Sequence, residues 1–486
     1  MITSQSLIDA FWRTKMRKTK IICTLGPAST TYEQLKGMAL AGMNVARINM
    51  SHGTYEEHQV KIDNVKKIRR NLGLPIPIMI DTKGPEVRIG TFVNGKINVT
   101  EGMKFDIVNE EIEGDETRVS VSYKELYKDI SPDSTVLMND GLLIFKVTGI
   151  EEGVIHTVAQ NSGVLSDRKG LFVPGVKLNM PFLSEQDKHD LDFGVKNGAE
   201  LYAASFVQDK QSIIDIRNYL ASKGAKDACI VSKIESQSGL NNIDEIIEVS
   251  DGIMVARGDL GVECPYEQLP AIQKMLITKS RMAGKFVITA TEMLESMVTK
   301  LRPTRAEIID VANAVYDGSS CVMLSAESAV GISPSNTIAT MARIAEEAEK
   351  NVDYRHMYTH SPFKLIDNTD AMSHAAVNTA FDIDAKAIVV YTHSGTSARM
   401  VSRFRPSVPI VAMTSSDKVY NQLSTSWGVV PTVCQTFDNT DDMFIHAEET
   451  VKKLGFAKEG DNIVITAGVP LGKRIGTNMI KVATLE

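Results

Sequence analysis

Short apolar runs rich in isoleucine and valine recur along the chain, and each ends in polar residues or glycine. Eight of them are clear, at 21–24, 45–48, 78–80, 201–205, 229–232, 252–256, 286–289 and 321–324. Helix-like stretches such as 32–41, 213–223 and 305–315 lie between most of them. Repeated βα units of this size predict an α/β fold, a (β/α)₈ barrel with sites at the C-terminal ends of its strands. An open doubly wound sheet is the alternative.

Roughly a hundred residues separate the third run from the fourth. They alternate apolar and polar positions and contain frequent turn pairs, for example Asn94-Gly95 and Asp140-Gly141. This pattern is typical of a small antiparallel β domain, which we expect to be a small β-barrel at 84–180. Because it follows a barrel strand, it should sit at the catalytic rim and act as a lid.

After the eighth run, 336–350 is amphipathic, 354–369 has the character of a linker, and the α/β alternation then resumes. Strands are expected at 387–391, 410–413 and 462–465, and helices at 397–404 and 443–454. We therefore assign 16–83 and 181–350 to the barrel and 351–486 to a C-terminal α/β domain. Its first strand leads into THSGTSAR, a turn whose amide groups and helix dipole suit a phosphate. Simple helix capping by Ser394 or Ser397 is the alternative.

Composition narrows the class of protein. A net charge of −7 without a dense Lys/Arg tract argues against a nucleic-acid surface. The five cysteines are scattered, which predicts reduced thiols rather than disulfides. Because no apolar run approaches the length of a membrane span, we expect a cytoplasmic protein. Residues 1–15 precede the clear pattern and are interpreted as an N-terminal extension, with Met16 as an alternative start.

Charged residues follow two neighbouring strand runs directly. Lys233 and Glu235 end the fifth run, and Arg257 and Asp259 end the sixth. If the two strands are parallel neighbours, Glu235 and Asp259 meet at one rim, where two carboxylates suit Mg²⁺. Lys233 would supply positive charge for an anionic substrate. An ordinary structural ion-pair cluster is the alternative interpretation.

Other strand ends carry similar chemistry. Oxygen atoms of Asn49, Ser51, Asp81 and Thr82 could surround a second hard cation. Hydrogen bonding at strand ends is the simpler explanation for any one of these residues. However, polar residues end six of the eight runs. Besides those named above, these residues include Arg47, Thr291, Ser325 and Glu327.

Motifs in a fixed order carry a family resemblance. KIICTLGPAS, NVARINMSHG, IDTKGPEVRIG, VSKIES, DGIMVARGDLG, ITATEMLESM, RPTRAEIIDVANAV and MLSAESA together resemble the pyruvate kinase family, from Met16 to the C-terminus. The chain is most similar to bacterial-type members without an additional C-terminal domain. The resemblance implies transfer of the phosphoryl group of phosphoenolpyruvate to ADP, giving pyruvate and ATP. It also implies a homotetramer.

The resemblance assigns roles at the barrel rim. Arg47 and Lys233 would neutralise the migrating phosphoryl group, while Glu235 and Asp259 hold Mg²⁺, or Mn²⁺ in its place. The amides of Gly258 and Asp259, with Thr291, would hold the substrate carboxylate. Lys233 would also stabilise the enolate. A water relayed past Thr291, Ser325 and Glu327 would protonate it.

The resemblance further implies a K⁺ site at Asn49, Ser51, Asp81 and Thr82. Glu86 stands where K⁺-independent members carry a lysine, so we expect K⁺ dependence. Nucleotide contacts would come from Asn49, His52, Arg88 and Lys169, the last delivered by the lid. The chain reads ESAVG where many members read ETAKG, so Val330 replaces a lysine and a nucleotide contact is in doubt.

In the C-terminal domain the resemblance implies an allosteric phosphate loop for a sugar-phosphate or nucleotide effector, formed by Thr392, Ser394, Gly395, Thr396 and Ser397. Lys473 and Arg474 could reach the same anion. Two other functions compete with this assignment. A Mg²⁺-enolate barrel such as an aldolase would not need a nucleotide-covering lid or a K⁺ pocket. A catalytically silent sensor would not need Lys233, Glu235, Asp259 and Thr291 together.

Overall fold

The computed structural model describes residues 17–473 and 475–486. The predicted N-terminal extension and the phosphate contact from Arg474 lie outside the described residues. The strands are β1 (Lys20–Thr24), β2 (Val45–Asn49), β3 (Ile78–Asp81), β4 (Lys96–Val99), β5 (Lys104–Val108), β6 (Arg118–Ser120), β7 (Thr135–Met138), β8 (Leu143–Glu151), β9 (Val154–Ala159), β10 (Gly163–Ser166), β11 (Leu171–Phe172), β12 (Leu201–Ala204), β13 (Cys229–Ile234), β14 (Gly252–Ala256), β15 (Phe286–Ala290), β16 (Cys321–Leu324), β17 (Ala387–Tyr391), β18 (Ile410–Thr414), β19 (Val429–Val433), β20 (Asn462–Ala467) and β21 (Met479–Thr484).

The α-helices connect these strands. They are α1 (Tyr32–Ala41), α2 (Tyr55–Leu72), α3 (Leu126–Asp129), α4 (Glu185–Lys196), α5 (Lys210–Ser222), α6 (Gln237–Asn241), α7 (Ile243–Val249), α8 (Arg257–Glu263), α9 (Leu269–Met282), α10 (Arg305–Tyr316), α11 (Ala326–Ala329), α12 (Pro334–Lys350), α13 (Tyr354–Thr359), α14 (Asn368–Asp382), α15 (Thr396–Ser402), α16 (Asp417–Gln422) and α17 (Thr440–Leu454). Short 3₁₀ turns lie at Pro27–Ser29, Tyr266–Gln268, Glu295–Val298 and Leu423–Thr425.

The predicted eight-stranded barrel is confirmed. Its strands close in the order β1-β16-β15-β14-β13-β12-β3-β2, and all neighbours are parallel. The open-sheet alternative is therefore wrong. Since all strands run the same way, their C-terminal ends meet at one rim.

Side chains along each strand point alternately into the barrel and toward the surrounding helices, so each strand contributes to two layers of the core. On β1, Ile22 belongs to a cluster inside the barrel, whereas Ile21 and Cys23 pack with the surrounding helices. Both faces are buried, so the strands read as continuous apolar runs. Several helices begin with a capping box, for example Thr31 with Gln34 and Thr304 with Glu307. These caps fix the chain where it leaves the rim loops.

The segment between β3 and β12 forms the expected small β domain. Strands β11-β7-β8-β9-β5-β6 form one curled sheet, and β10 pairs with β4 in a second. All pairs are antiparallel except β5 with β6. Its core is separate from that of the barrel and contains Phe105, Val136 and Phe145. This segment is called the lid below.

The C-terminal domain is a five-stranded sheet in the order β19-β18-β17-β20-β21, in which only β21 is antiparallel. The predicted linker is partly wrong, because helix α13 lies within it and α14 begins before its end. Tyr358 in α13 is buried and stacks against His374 of α14, so this segment packs onto the domain.

The expected thiol state is confirmed, since all five cysteines are free and four are buried. Within the described ranges, no helix has the length and apolar character needed to cross a membrane.

Candidate active site

Lys233 is the centre of the charged cluster at the barrel rim. It lies near the end of β13, and its Nζ donates to Ser205 Oγ at 2.6 Å. The same ammonium is 2.9 Å from Glu235 Oε1 and 3.3 Å from Asp81 Oδ1. Three oxygen atoms from three neighbouring strand ends therefore fix its position.

Arg47 lies on β2, three strands from β13, and shares Asp81 with Lys233. Its Nε is 2.6 Å from Asp81 Oδ2, and its Nη1 donates to Thr24 Oγ1 at 2.7 Å. Burial alone raises the pKa of Asp81, but Arg47 and Lys233 outweigh burial and hold that pKa below its usual value. Burial also lowers the pKa of Lys233, and Asp81 and Glu235 reverse this, so its net pKa is raised. Lys233 therefore stays charged in a buried site.

Glu235 and Asp259 lie side by side, as the sequence predicted for two neighbouring parallel strands. Glu235 is 1% exposed, and its Oε2 accepts the Phe206 N–H at 2.6 Å. Burial raises the pKa of both carboxyls. Asp259 raises the pKa of Glu235 further, and Glu86 raises the pKa of Asp259 further. No cluster of three or more His, Cys, Asp or Glu with metal-binding geometry occurs in the described part of the chain. A cation here would thus have two protein carboxylates and open positions, a donor set that suits Mg²⁺.

The loop after β15 holds Thr291 against the start of α8. The Gly258 N–H donates to Thr291 Oγ1 at 2.9 Å. Thr291 has φ +69° and Glu292 has φ +53°, a left-handed conformation that is strained for residues with a side chain. Arg257 stabilises this turn, because it donates to the carbonyls of Ala290 and Thr291 and pairs with Asp310 at 2.7 Å.

Glu327 holds two rim loops together. It is fully buried, and its Oε1 accepts the Leu294 N–H at 3.1 Å while Oε2 accepts the Ser325 N–H at 2.7 Å. Both oxygens are therefore engaged with main-chain amides. This contact makes Glu327 a positioning residue for the loop that follows Thr291, and the predicted proton relay stays a prediction.

The four residues of the expected second cation site lie on adjacent strand ends. Asn49 of β2 is in register with Asp81 of β3. Asn49 Oδ1 accepts the Ser51 N–H at 3.1 Å, which folds the loop back over the rim. The Thr82 carbonyl accepts a hydrogen bond from Ser205 Oγ at 2.7 Å. The structure thus brings these oxygen-rich residues next to the Lys233 cluster.

The nucleotide-contact candidates come from both the barrel and the lid. Arg88 forms a two-point ion pair with Glu86, at 2.8 Å and 2.7 Å, and donates to the Arg168 carbonyl. Lys169 follows directly and its Nζ is 3.0 Å from Asp140 Oδ2. His52 is exposed on the loop after β2, and Val330 is 54% exposed. Val330 therefore leaves an apolar side chain facing solvent at the position of the family's lysine.

The lid tip touches the barrel beside the carboxylate pair. A Cβ on Gly141 would lie 3.3 Å from a methyl of Val262. Val262 lies in α8, three residues after Asp259. Gly141 has φ +81°, so glycine allows both the turn and the close approach. The tip of the lid therefore lies against the barrel at α8.

Ser205 and Arg257 are functional candidates that sequence reasoning missed. Ser205 was placed at the end of an apolar run but received no role, although it contacts Lys233, Thr82 and Asp81. Arg257 was noted as a charged strand end, but its contacts with the Thr291 turn were not foreseen. In both cases the polar residue directly after a strand was the available signal.

The predicted phosphate loop lines a cleft of about 850 Å³ in the C-terminal domain. Thr392, Ser394, Thr396 and Ser397 line it, together with Gly468, Leu471, Gly472, Lys473, Ile475 and Gly476. Thr477 Oγ1 donates to Ser397 Oγ at 2.7 Å, joining the two loops. Gly395, at φ +85°, begins α15. Residues 434–438 also line the cleft.

Family models match most of the chain. "Pyruvate kinase, barrel domain" covers residues 16–338 and "Pyruvate kinase, alpha/beta domain" covers residues 370–483. A pyruvate kinase of Clostridium acetobutylicum is 46% identical over 474 residues, which are 97% of this chain and all of the relative. One of Sporosarcina psychrophila is 45% identical over 96% of this chain and 80% of its own length.

A solved structure agrees with these matches. The crystal structure of a pyruvate kinase from Cryptosporidium parvum superimposes with a TM-score of 0.92, at 37% identity and with 98% of each chain covered. The barrel, the inserted lid and the C-terminal sheet are thus shared along nearly the whole length. Together with the charged rim, these matches show that the chain belongs to the pyruvate kinase family.

Proposed function

We propose that the Lys233 cluster is the site at which the chain carries out its family's reaction, phosphoryl transfer from phosphoenolpyruvate to ADP to give pyruvate and ATP. The observation that carries the proposal is the fixed position of Lys233, held by Ser205, Asp81 and Glu235 at the open end of the barrel. Phosphoryl transfer depends on positioning and on neutralising charge. A buried, permanently charged ammonium does both.

Arg47 and Lys233 would face the migrating phosphoryl group from two sides. They share Asp81, which keeps their side chains a fixed distance apart. When the phosphoryl group leaves, Lys233 is placed to stabilise the negative charge that develops on the enolate oxygen. The Gly258 and Asp259 amides, at the start of α8, and Thr291 would anchor the substrate carboxylate. In that complex Thr291 Oγ1 would exchange its present contact with the Gly258 N–H for substrate.

The family's kinase reaction needs a divalent metal, and we assign Mg²⁺, with Mn²⁺ as a substitute, to Glu235 and Asp259. Glu235 is buried and the neighbouring Asp259 is half-buried, and such a pair of carboxylates fits the ion because a cation offsets their mutual repulsion. The metal supplies Lewis-acid charge neutralisation at the phosphoryl oxygens. Glu235 is held for this by the Phe206 amide.

We further assign a K⁺ ion to Asn49, Ser51, Asp81 and the Thr82 carbonyl. These are neutral or singly charged oxygen donors on adjacent strand ends, a set that suits a hard monovalent cation. Asp81 already contacts Arg47 and Lys233, so a K⁺ ion beside it would link the monovalent site to both catalytic cations. Glu86 supports K⁺ dependence, since a lysine there would compete with the ion.

The nucleotide would lie between the barrel and the lid. Arg88 and Lys169 are neighbours at the base of the lid. Asn49 at the end of β2 and His52 in the loop after it would add contacts from the barrel. Lid closure would bring these cations to the phosphates of ADP and exclude water from the transfer. We propose that a water molecule near Thr291 and Ser325 supplies the proton to the enolate carbon. Glu327 would hold the two loops in place.

We propose an allosteric site in the C-terminal cleft for a sugar phosphate or nucleotide, bound by hydroxyls and amides of the 392–397 loop. We also propose a homotetramer, as expected from the family resemblance.

The central test measures ATP formation from phosphoenolpyruvate and ADP with Mg²⁺, in K⁺ and in tetramethylammonium buffers of equal ionic strength. Activity that needs K⁺ supports both the rim assignment and the monovalent site. Activity independent of K⁺ would overturn the K⁺ assignment alone. Absence of phosphoryl transfer by folded protein in every buffer would overturn the proposed function of the rim. Adding individual sugar phosphates and nucleotides in the same assay tests the effector proposal, and sedimentation velocity tests the tetramer.

A further inference from the structure

A small cavity lies at the end of the barrel opposite the catalytic rim, where the C-terminal domain packs against it. Its volume is about 10 Å³, close to the smallest space that holds one water-sized particle. It lies between the starts of β15 and β16 and the helix α15. We call it the junction cavity, and the side chains that matter are Lys285, Ser320, Arg399, Arg403, Arg405 and Ser426.

The junction cavity has an excess of positive charge. Four of these side chains are cationic, and no carboxylate is among the residues that line it. Arg403 is 2.9 Å from Asp370 Oδ1, and Lys285 donates to the Ser250 carbonyl at 2.6 Å. Within residues 17–473 and 475–486, Arg399 and Arg405 form no salt bridge. Two guanidinium groups at this space therefore lack a directly paired carboxylate among the described residues, and Asp251 acts only on the neighbouring Lys285 from nearby.

Buried donors around the cavity lack acceptors. Arg405 is 3% exposed, and its two terminal nitrogens donate to Ser402, Gly318 and Ser320, but its Nε has no hydrogen-bond partner. Ser426 is 1% exposed and its Oγ is also unpartnered, as is Arg399 Nε. Buried polar groups rarely lack a hydrogen-bond partner, because they lose their hydrogen bonds to water on burial and gain none in exchange.

Ser320 adds a hydroxyl with the same character. Its Oγ accepts the Val287 N–H at 3.2 Å and an Arg405 N–H at 3.1 Å. Both contacts use the oxygen as an acceptor, so its own proton remains to be donated. The lining thus supplies N–H and O–H donors where an acceptor is missing.

We propose that the junction cavity binds one small monovalent anion of about the size of chloride. A water molecule fits less well, because it needs acceptors for its own protons and leaves the charge uncompensated. Phosphate and sulfate are too large for a space of about 10 Å³. Burial, and then Arg281, lower the pKa of Arg405, and a bound anion would oppose both effects.

The anion would hold the two domains together. Arg399 and Arg403 belong to α15 and its C-terminal end, Arg405 follows, and Ser320 leads into β16. Helix α15 packs closely on the barrel here, since a Cβ on Gly284 would lie 2.5 Å from Met400 Sδ. An ion shared by these elements stabilises the folded junction and not the unfolded chain, so it should raise the unfolding temperature.

The first test compares thermal unfolding of the full chain in potassium gluconate, chloride, bromide and phosphate at fixed K⁺ concentration and ionic strength. Chloride and bromide should each raise Tm by about 1–3 °C over gluconate, in a saturable manner. Phosphate should not exceed gluconate. Equal Tm values in gluconate and the halides, or a larger effect of phosphate, would overturn the proposal.

A second test locates the ion directly. Crystals grown in bromide should show an anomalous peak between Arg405 Nε and Ser426 Oγ, and an empty cavity would contradict the proposal even if chloride changes Tm. Ser426→Asp places a fixed carboxylate among the cations, so its Tm in gluconate should rise and its halide response should disappear. Ser222→Asp, on the exposed end of α5, is the control for net charge and should keep the halide response. If Ser426→Asp unfolds, the bromide peak still decides.

Discussion

The barrel rim and the C-terminal cleft both suit phosphorylated ligands, yet they are built in opposite ways. At the rim the charges are buried and paired: Asp81 and Glu235 are at most 1% exposed and contact Arg47 or Lys233 directly. The cleft is wide, about 850 Å³, and is lined by hydroxyl groups and glycine-containing loops together with apolar side chains and Lys473. The rim is organised before substrate arrives, whereas the cleft offers neutral donors on two loops that a ligand can draw together.

The functions proposed for the two regions would account for this difference. A transition state gains most from charges that do not reorganise during the reaction. An effector site must instead favour one of two conformations, so its parts need freedom to differ between them. Mutations at the rim should therefore abolish turnover, whereas mutations at the cleft should alter the response to a ligand.

The largest effect is expected for Lys233→Met. This change removes the charge at the phosphoryl group and leaves Asp81 and Glu235 without their shared cation. We expect kcat to fall by roughly 10³-fold or more, with a smaller change in KM. Steady-state kinetics measure the effect, with Lys188→Met, a half-buried lysine of α4 that pairs with Glu185, as the control. A loss below tenfold in folded protein would show that Lys233 is structural.

Glu327→Gln separates a positioning role from a proton relay. The amide keeps one acceptor oxygen, so one of the contacts with the Leu294 and Ser325 N–H groups is lost. We expect kcat to fall about tenfold through misplacement of the Thr291 loop, with the pH profile of kcat unchanged in shape. Disappearance of one limb of that profile would instead identify Glu327 as part of the proton path. Glu292→Gln, on the same loop, serves as the control.

The residues of the rim were easier to predict from the sequence than those of the cleft, because the two regions are built differently. Barrel strands buried on both faces produce clear apolar runs, and the rim residues lie at or just after the end of a run. The contacts of Ser205 and Arg257 depend on which strands become neighbours and on the turn at Thr291, which a single run does not reveal. The cleft combines loops more than seventy residues apart, Thr392–Ser397 and Gly468–Gly476, and no local pattern joins them.

Two strands of the C-terminal domain were missed for identifiable reasons. β19 contains Pro431, which argues against a strand, but β19 is at the edge of the sheet where proline is tolerated. β21 is only half-buried, so its apolar pattern is weak. Helix α13 was hidden in the expected linker, because its one buried residue, Tyr358, gives no periodic signal.

Thr396→Glu should affect the cleft without involving the rim. A carboxylate at the start of α15, beside Ser394 at 3.0 Å between the hydroxyls, repels a phosphate in the same turn. We expect the concentration of sugar phosphate needed for half-maximal activation to rise at least about tenfold. The variant's own activity without effector is the reference, and Thr436→Glu on the other wall of the cleft is the comparison. Equal responses of both variants and the unmodified chain would exclude the 392–397 loop as the phosphate site.

The smallest effect is expected for an exposed charge pair on the lid, which shows what burial contributes at the rim. His156 Nδ1 lies 2.9 Å from Asp106 Oδ1, and this contact raises the pKa of His156. The pair therefore stabilises the fold fully below about pH 6.5, and the contribution is lost as pH rises through the raised folded-state value. Because both side chains are 37% exposed, solvent screens the interaction. His156→Gln should lower Tm by about 1 °C at pH 6 and by less at pH 8.5, measured by calorimetry. A larger loss at pH 8.5 than at pH 6 would mean that neutral His156 stabilises the lid by packing rather than by its charge.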